Sequence, residues 1–115
     1  MEQKAYEEYL EDHADTIIWS VVDYSNISNW SDSFIEKFKD ELNWEAISIT
    51  RYLSESFMER YSDKLNWHWI AIFQKLSEPF IEKHSNKFNW FFIKTNQKLT
   101  KSFLEKHKDK FIVPF

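Results

Sequence analysis

Phe34, Phe57, Phe80 and Phe103 stand 23 residues apart, and their neighbours keep the same interval. Trp44, Trp67 and Trp90 form a second column; Ser31, Ser54, Ser77 and Thr100 form a third, and Asn43, Asn66 and Asn89 a fourth. A fixed period of about 20 to 50 residues marks stacked supersecondary units, each too small to bury its own apolar face. The chain divides into a degenerate first unit over 1–29, full repeats over 30–52, 53–75 and 76–98, and a truncated unit over 99–115. In the first unit Tyr9, Leu10 and Trp19 stand for Phe34, Ile35 and Trp44, and two extra residues near 26–29 displace the next repeat.

Each unit carries two helix-start signals. Ser or Thr opens the first, because its hydroxyl can accept a hydrogen bond from an amide of the first turn that has no intrahelical partner. Acidic Asp32, Glu55 and Glu78 follow it, next to the positive end of the helix dipole, and Pro79 sits where a missing amide proton costs little. The apolar residue before each cap pairs with one five positions on, as in Trp30 with Ile35, Leu53 with Met58, Leu76 with Ile81 and Leu99 with Leu104. Asn43, Asn66 and Asn89 open the second helix.

The pattern predicts an all-α chain: an α-solenoid of about 4.5 helical hairpins, each of roughly ten plus eight residues. Isolated helices below about 12 to 15 residues are marginal in water, so such hairpins must stack. Helices packing about 8 to 10 Å apart give a rod on the order of 40 to 50 Å long. In the first helix Phe57, Tyr61 and Leu65 share a face, and in the second Trp67, Ile70 and Gln74 do.

Composition narrows the function. Among 115 residues there is no glycine, which excludes the phosphate-cradling loops whose backbone only glycine can adopt. The absence of cysteine excludes disulfides and thiolate sites. No run of 18 apolar residues and no apolar leader is visible, so the expectation is a protein without a membrane span, in the cytoplasm. No cofactor is expected.

The string L-S-x-x-F-I-x-K-x-x-x-K-L/F-N-W-x-x-I, carried by Leu53 to Ile70 and Leu76 to Ile93 and more loosely by Trp30 to Ile47, resembles short tandem repeats in uncharacterised proteins of bacteriophages and large DNA viruses. The repeats cover about three quarters of the chain. The resemblance implies a virus-encoded helical scaffold that engages a component of its host. The first unit departs from the pattern and the last lacks its Trp.

Catalysis finds no support in the pattern. His13, His84 and His107 share one register, filled elsewhere by Phe38 and Tyr61, which favours semi-buried packing over metal binding; His68 is expected on the surface. Pairs such as Glu36 with Lys37 and Asp63 with Lys64 could be drawn as a general acid and base, but such charges recur on the outer face of every first helix, whereas an active site is built once from unlike neighbours, so they are expected to form a solvated face.

Charge is distributed unevenly. Residues 1–50 hold twelve acidic and three basic side chains, net −9, and residues 51–115 hold seven acidic and twelve basic, net +5. The acidic end, with Glu7, Glu8, Glu11, Asp12 and Asp15, is a candidate surface for a partner with a basic face. The basic end, with Lys94, Lys98, Lys101, Lys106, Lys108 and Lys110, is the alternative candidate, for nucleic acid. Opposite ends also invite head-to-tail self-association. A third candidate is the column two residues after each Trp, where Trp69 and Phe92 would form an aromatic pair on successive hairpins. The narrowness of the stack favours their burial between hairpins instead. The leading expectation is thus a non-catalytic protein-binding solenoid. The resemblance makes it a phage or viral factor that binds a host protein, including a bacterial defence nuclease such as a CRISPR effector, to inhibit or adapt it.

Overall fold

The computed structural model describes residues 3–50 and 53–111. Residues 1–2, Arg51 and Tyr52 at the end of the 30–52 repeat, and residues 112–115 at the end of the truncated unit lie outside the described residues. The described residues form helices and no strand. Helix α1 (Gln3–Asp12) leads through 3-10 turns at Trp19–Val21 and Ile27–Asn29 into α2 (Asp32–Phe38) and α3 (Trp44–Ser48). Then come α4 (Glu55–Arg60), α5 (Trp67–Phe73), α6 (Glu78–Lys83), a 3-10 turn at Ser85–Lys87, α7 (Trp90–Asn96), α8 (Lys101–Lys106) and α9 (Lys108–Phe111).

The caps sit where the repeat places them. The hydroxyls of Ser31, Ser54, Ser77 and Thr100 accept from the amides of Phe34, Phe57, Phe80 and Phe103 at 3.1–3.3 Å. The Asn43, Asn66 and Asn89 side chains accept from the amides of Ala46, Trp69 and Phe91 at 3.0–3.3 Å. Trp30, Leu53 and Leu76 are buried together with Ile35, Met58 and Ile81, while Leu99 and Leu104 at the C-terminal end are half-buried.

The helices are shorter than the ten plus eight residues the pattern predicts. α4 and α6 have six residues each and α5 and α7 seven. Tyr61, His84 and His107 end the first helices, with φ from −107° to −112° and ψ from 22° to 30°. Their rings leave the helix to pack on the preceding unit's tryptophan: Tyr61 on Trp44 at 5.0 Å, His84 on Trp67 at 4.9 Å and His107 on Trp90 at 5.2 Å between centroids. Tyr61 and Leu65 therefore do not extend the helical face of Phe57, although both are buried. Each of these indoles also donates to the carbonyl five residues back, Trp44 to Lys39, Trp67 to Ser62 and Trp90 to Ser85, at 2.7–3.1 Å.

Two rows of contacts run along the molecule. Helices α3, α5, α7 and α9 touch in succession, with Ile47, Ile70 and Ile93 fully buried among them. The first helices are linked by side-chain contacts from α1 to α2, α2 to α4, α4 to α6 and α6 to α8. The molecule measures 52 × 25 × 20 Å.

The missing glycine raises a specific problem, since helix C-termini leave carbonyls unpaired and glycine is their usual remedy. Glutamine supplies the answer. Buried Gln74 donates through Nε2 to the carbonyl of Ser48 at 3.1 Å and to that of Thr50, and its Oε1 accepts from the Leu53 amide at 3.2 Å. One period later, Gln97 donates to the carbonyls of Ala71 (2.9 Å) and Gln74 (2.7 Å) and accepts from Leu76 (3.0 Å). A side chain from the next unit thus closes the end of the previous one.

Candidate functional site

The charges expected on a solvated face lie at the surface, and several of them also pair from one unit to the next. Glu36 pairs with Arg60, Glu59 with Lys83 and Glu82 with Lys106, at 3.5, 3.1 and 2.8 Å. Lys64 reaches Asp40 at 2.7 Å, and Lys37 reaches Glu11. The first-turn carboxylates have a second role: Glu55 accepts from both the amide and the hydroxyl of Ser77 at 2.7 and 2.9 Å, and Glu78 does the same for Thr100 at 2.7 and 3.1 Å. Asp32, one methylene shorter, pairs with Arg60 at 3.0 Å instead. The pairing was not legible because the repeat shows which charges recur but not the rotation between units that brings them together.

The histidines divide accordingly. His84 is buried and its Nε2 lies 2.7 Å from Glu59; His107 is largely covered and lies 3.0 Å from Glu82. His13, in the same register, departs from the expected semi-burial: it is exposed and stacks on Tyr9 at 4.2 Å, because no earlier tryptophan covers it among the described residues. His68 is exposed.

Hydrogen bonds from His84 and Lys83 hold the Glu59 carboxyl below its ordinary range, and those from Lys106 and His107 do the same for Glu82. The unfolded chain therefore takes up protons on these carboxylates before the folded chain does, and stability falls as pH drops through the lowered values. We expect the urea midpoint to decline from pH 6 toward pH 3 in the native chain and to decline less steeply in a Glu59→Gln, Glu82→Gln variant. Identical slopes would refute the assignment. Asp23, Glu36 and Asp40 are lowered too, by a hydrogen bond from Ser25, Lys39 and Lys64 respectively. Lowering favours the ionised form, the opposite of what a general acid needs.

At the acidic end, Glu7 and Glu11 face the next unit. Glu7 accepts from the Ser31 amide at 3.0 Å and from its hydroxyl at 2.5 Å, while Glu11 holds Lys37. Glu8, Asp12 and Asp15 are exposed, with no ion pair among the described residues. A shallow hollow of about 680 Å³ lies between α1 and α2, with Glu7, Glu8 and Glu11 on its wall and Phe34 beneath.

At the basic end, Lys94, Lys98, Lys101, Lys106, Lys108 and Lys110 are all exposed. Lys106 is tied to Glu82 and the Lys110 ammonium lies 5.2 Å from the Trp90 ring centre.

Trp69 and Phe92 do not form the expected direct pair, and neither is fully buried. His68 stands between them, its ring 4.9 Å from Trp69 and 4.8 Å from Phe92. Both are half-buried. The contacts continue to Phe73 at 5.8 Å from Trp69 and to Phe91 at 5.3 Å from Phe92, so five rings form one strip across α5 and α7. The Trp69 indole donates to Glu45 Oε1 at 3.1 Å. Beside it, a groove of about 360 Å³ is lined by Asn43, Glu45, Ala46, Ile49, Trp69 and Phe73. Phe73, Phe91 and Ile49 expose 53%, 51% and 47% of their surface and all lie along this strip and groove. The strip was partly legible, since Phe73, Phe91 and His68 lie on the outward turns of the second helices, but their continuity depends on how α5 and α7 cross.

Comparison with protein-family models, curated proteins and solved structures found no match. Among the described residues no helix is long and apolar enough to cross a membrane, and no group of three or more histidines or carboxylates is placed to hold a metal ion.

Proposed function

We propose that the chain is an α-solenoid of stacked helical hairpins that acts without catalysis, by binding another protein through its acidic end. One observation carries this reading. One charged column of the repeats is engaged in unit-to-unit pairs, Glu36 with Arg60, Glu59 with Lys83 and Glu82 with Lys106, whereas Glu8, Asp12 and Asp15 in α1 and the turn after it are exposed to a partner without such a pair. Such an end attracts a basic surface, the kind of surface a nuclease presents to nucleic acid. The resemblance of the repeats to phage and viral sequences suggests the partner's origin, a host protein met in the host cytoplasm and inhibited or adapted, for example a bacterial defence nuclease such as a CRISPR effector.

The test is capture from host lysate with the native chain, followed by titration of the purified partner against a Glu8→Lys, Asp12→Lys, Asp15→Lys variant. Glu7 and Glu11 stay unchanged because they hold α1 on α2. At about 50 mM salt the variant is expected to bind at least about tenfold more weakly, the difference shrinking as salt screens the charges. Unchanged affinity sinks the acidic-end reading, and multiple turnover of the partner sinks the non-catalytic one.

A second reading rests on the exposure of Lys94, Lys98, Lys101 and Lys108, whose ammonium groups have no ion pair among the described residues. It makes the basic end a nucleic-acid contact. A salt-sensitive shift of labelled DNA or RNA supports it, and no shift at about 50 mM salt removes it.

A further inference from the structure

The second helices carry a charge pattern that is complementary to itself. α3 has one charged residue, Glu45; α5 has none; α7 has one, Lys94. The three helices lie side by side in that order, α3 against α5 and α5 against α7. Turned by 180° about an axis through α5, the row − / 0 / + meets a second copy as + / 0 / −. The whole molecule repeats this arrangement, with net −9 over residues 1–50 and net +5 over residues 51–115. The same row bears the aromatic strip and the groove beside it.

We infer that this face is the contact of a two-fold antiparallel homodimer, α5 on α5 with α3 of one copy over α7 of the other. A two-fold contact is isologous, so each favourable pairing occurs twice. Here Glu45 meets Lys94 of the second copy at both edges, and Phe91 of the second copy enters the groove floored by Ala46 and Ile49. The exposed Phe73, Phe91 and Ile49 supply the apolar centre and Glu45 and Lys94 the polar rim. The required size is available. A standard interface buries about 800 Å² per partner, roughly a tenth of the 7654 Å² this chain exposes. Even the narrower 52 × 20 Å side of the molecule accommodates it. Parallel pairing would set Glu45 beside Glu45 and the acidic half beside the acidic half. The head-to-tail association anticipated from the opposite ends leaves the strip uncovered.

The proposal does not rest on the partner reading: a chain that dimerises and captures nothing refutes only the latter. Sedimentation velocity of the purified full chain over a wide concentration range should show a reversible dimer. Phe73→Asp and Phe91→Asp change exposed positions, so circular dichroism should be retained while dimerisation weakens at least tenfold. Glu45→Lys and Lys94→Glu alone should each weaken it severalfold, and the double exchange should restore it. Orientation is read from spin labels, for which the absence of native cysteine leaves a clean background. A label at Asp63→Cys, mid-chain, should give a shorter distance between copies than one at Ser102→Cys, near the end. A monomer at all concentrations, equally short distances at both sites, long distances at both, or no recovery in the double exchange overturns the proposal.

Discussion

Gln74→Leu is expected to lower stability by about 3 kcal/mol, read as a fall in the urea midpoint at unchanged slope. The side chain is buried and satisfies three backbone groups of the chain before it: the carbonyls of Ser48 and Thr50 and the amide of Leu53. Leucine keeps the volume and removes every one of these bonds, leaving orphaned groups at about 1 to 3 kcal/mol each, offset in part by the added apolar surface. Gln97→Leu should cost less, because its contacts are only partly buried and solvent can replace them. A loss below about 1 kcal/mol for Gln74→Leu would show that water reaches these carbonyls and that the glutamine is not what closes α3.

The second large effect is expected at Trp67. Its ring packs on Phe80, His84 and Phe88 at 4.9–5.9 Å, its indole donates to the Ser62 carbonyl at 2.8 Å, and the Lys87 ammonium lies 5.7 Å from its centre. Truncation to alanine removes the aromatic contact between the 53–75 and 76–98 repeats, a loss of about 3 to 5 kcal/mol for a large aromatic side chain. In the solenoid proposed above, stability is a sum of unit and neighbour contributions, so weakening one central junction should also uncouple the two sides. Trp67→Ala should therefore unfold in two steps, with circular dichroism and near-ultraviolet signals no longer coincident. Trp67→Phe keeps an aromatic ring there but loses the bond to Ser62, and should remain a single transition with a smaller loss. One coincident transition for Trp67→Ala, with a loss under about 2 kcal/mol, would mean that coupling runs chiefly through the isoleucine and glutamine columns instead.

These two residues also show how far the chain is legible. Trp67 was marked from the start, because a large aromatic side chain returning at a constant interval has to occupy equivalent places. Gln74 was visible only as one member of an apolar-looking face, although Gln97 stands 23 residues beyond it. Nothing in a lone glutamine states that its amide will reach a carbonyl of the preceding unit. The same limit explains the surface. Trp69 and Phe92 were expected to be buried between hairpins or, as the alternative, to pair directly, but both are half-buried and the exposed His68 ring lies between them, within a strip that runs on to Phe73 and Phe91. Glu7 and Glu11 were grouped with Glu8, Asp12 and Asp15 by charge alone; the first two fasten the next unit and the last three do not.

The amino-acid order by itself determined the unit length, the all-helical class and where the capped helices α2 to α8 begin, since caps and first-turn charges act within four residues and need no knowledge of the rest of the chain. Only the tertiary structure decided where the helices stop, which charges are paired and which rings reach solvent. Those outcomes depend on contacts between residues 17 to 26 positions apart, across junctions such as Trp67 with His84 and Gln97 with Ala71. The relative rotation of neighbouring units sets such contacts, and that rotation follows from how whole faces pack, not from any local preference.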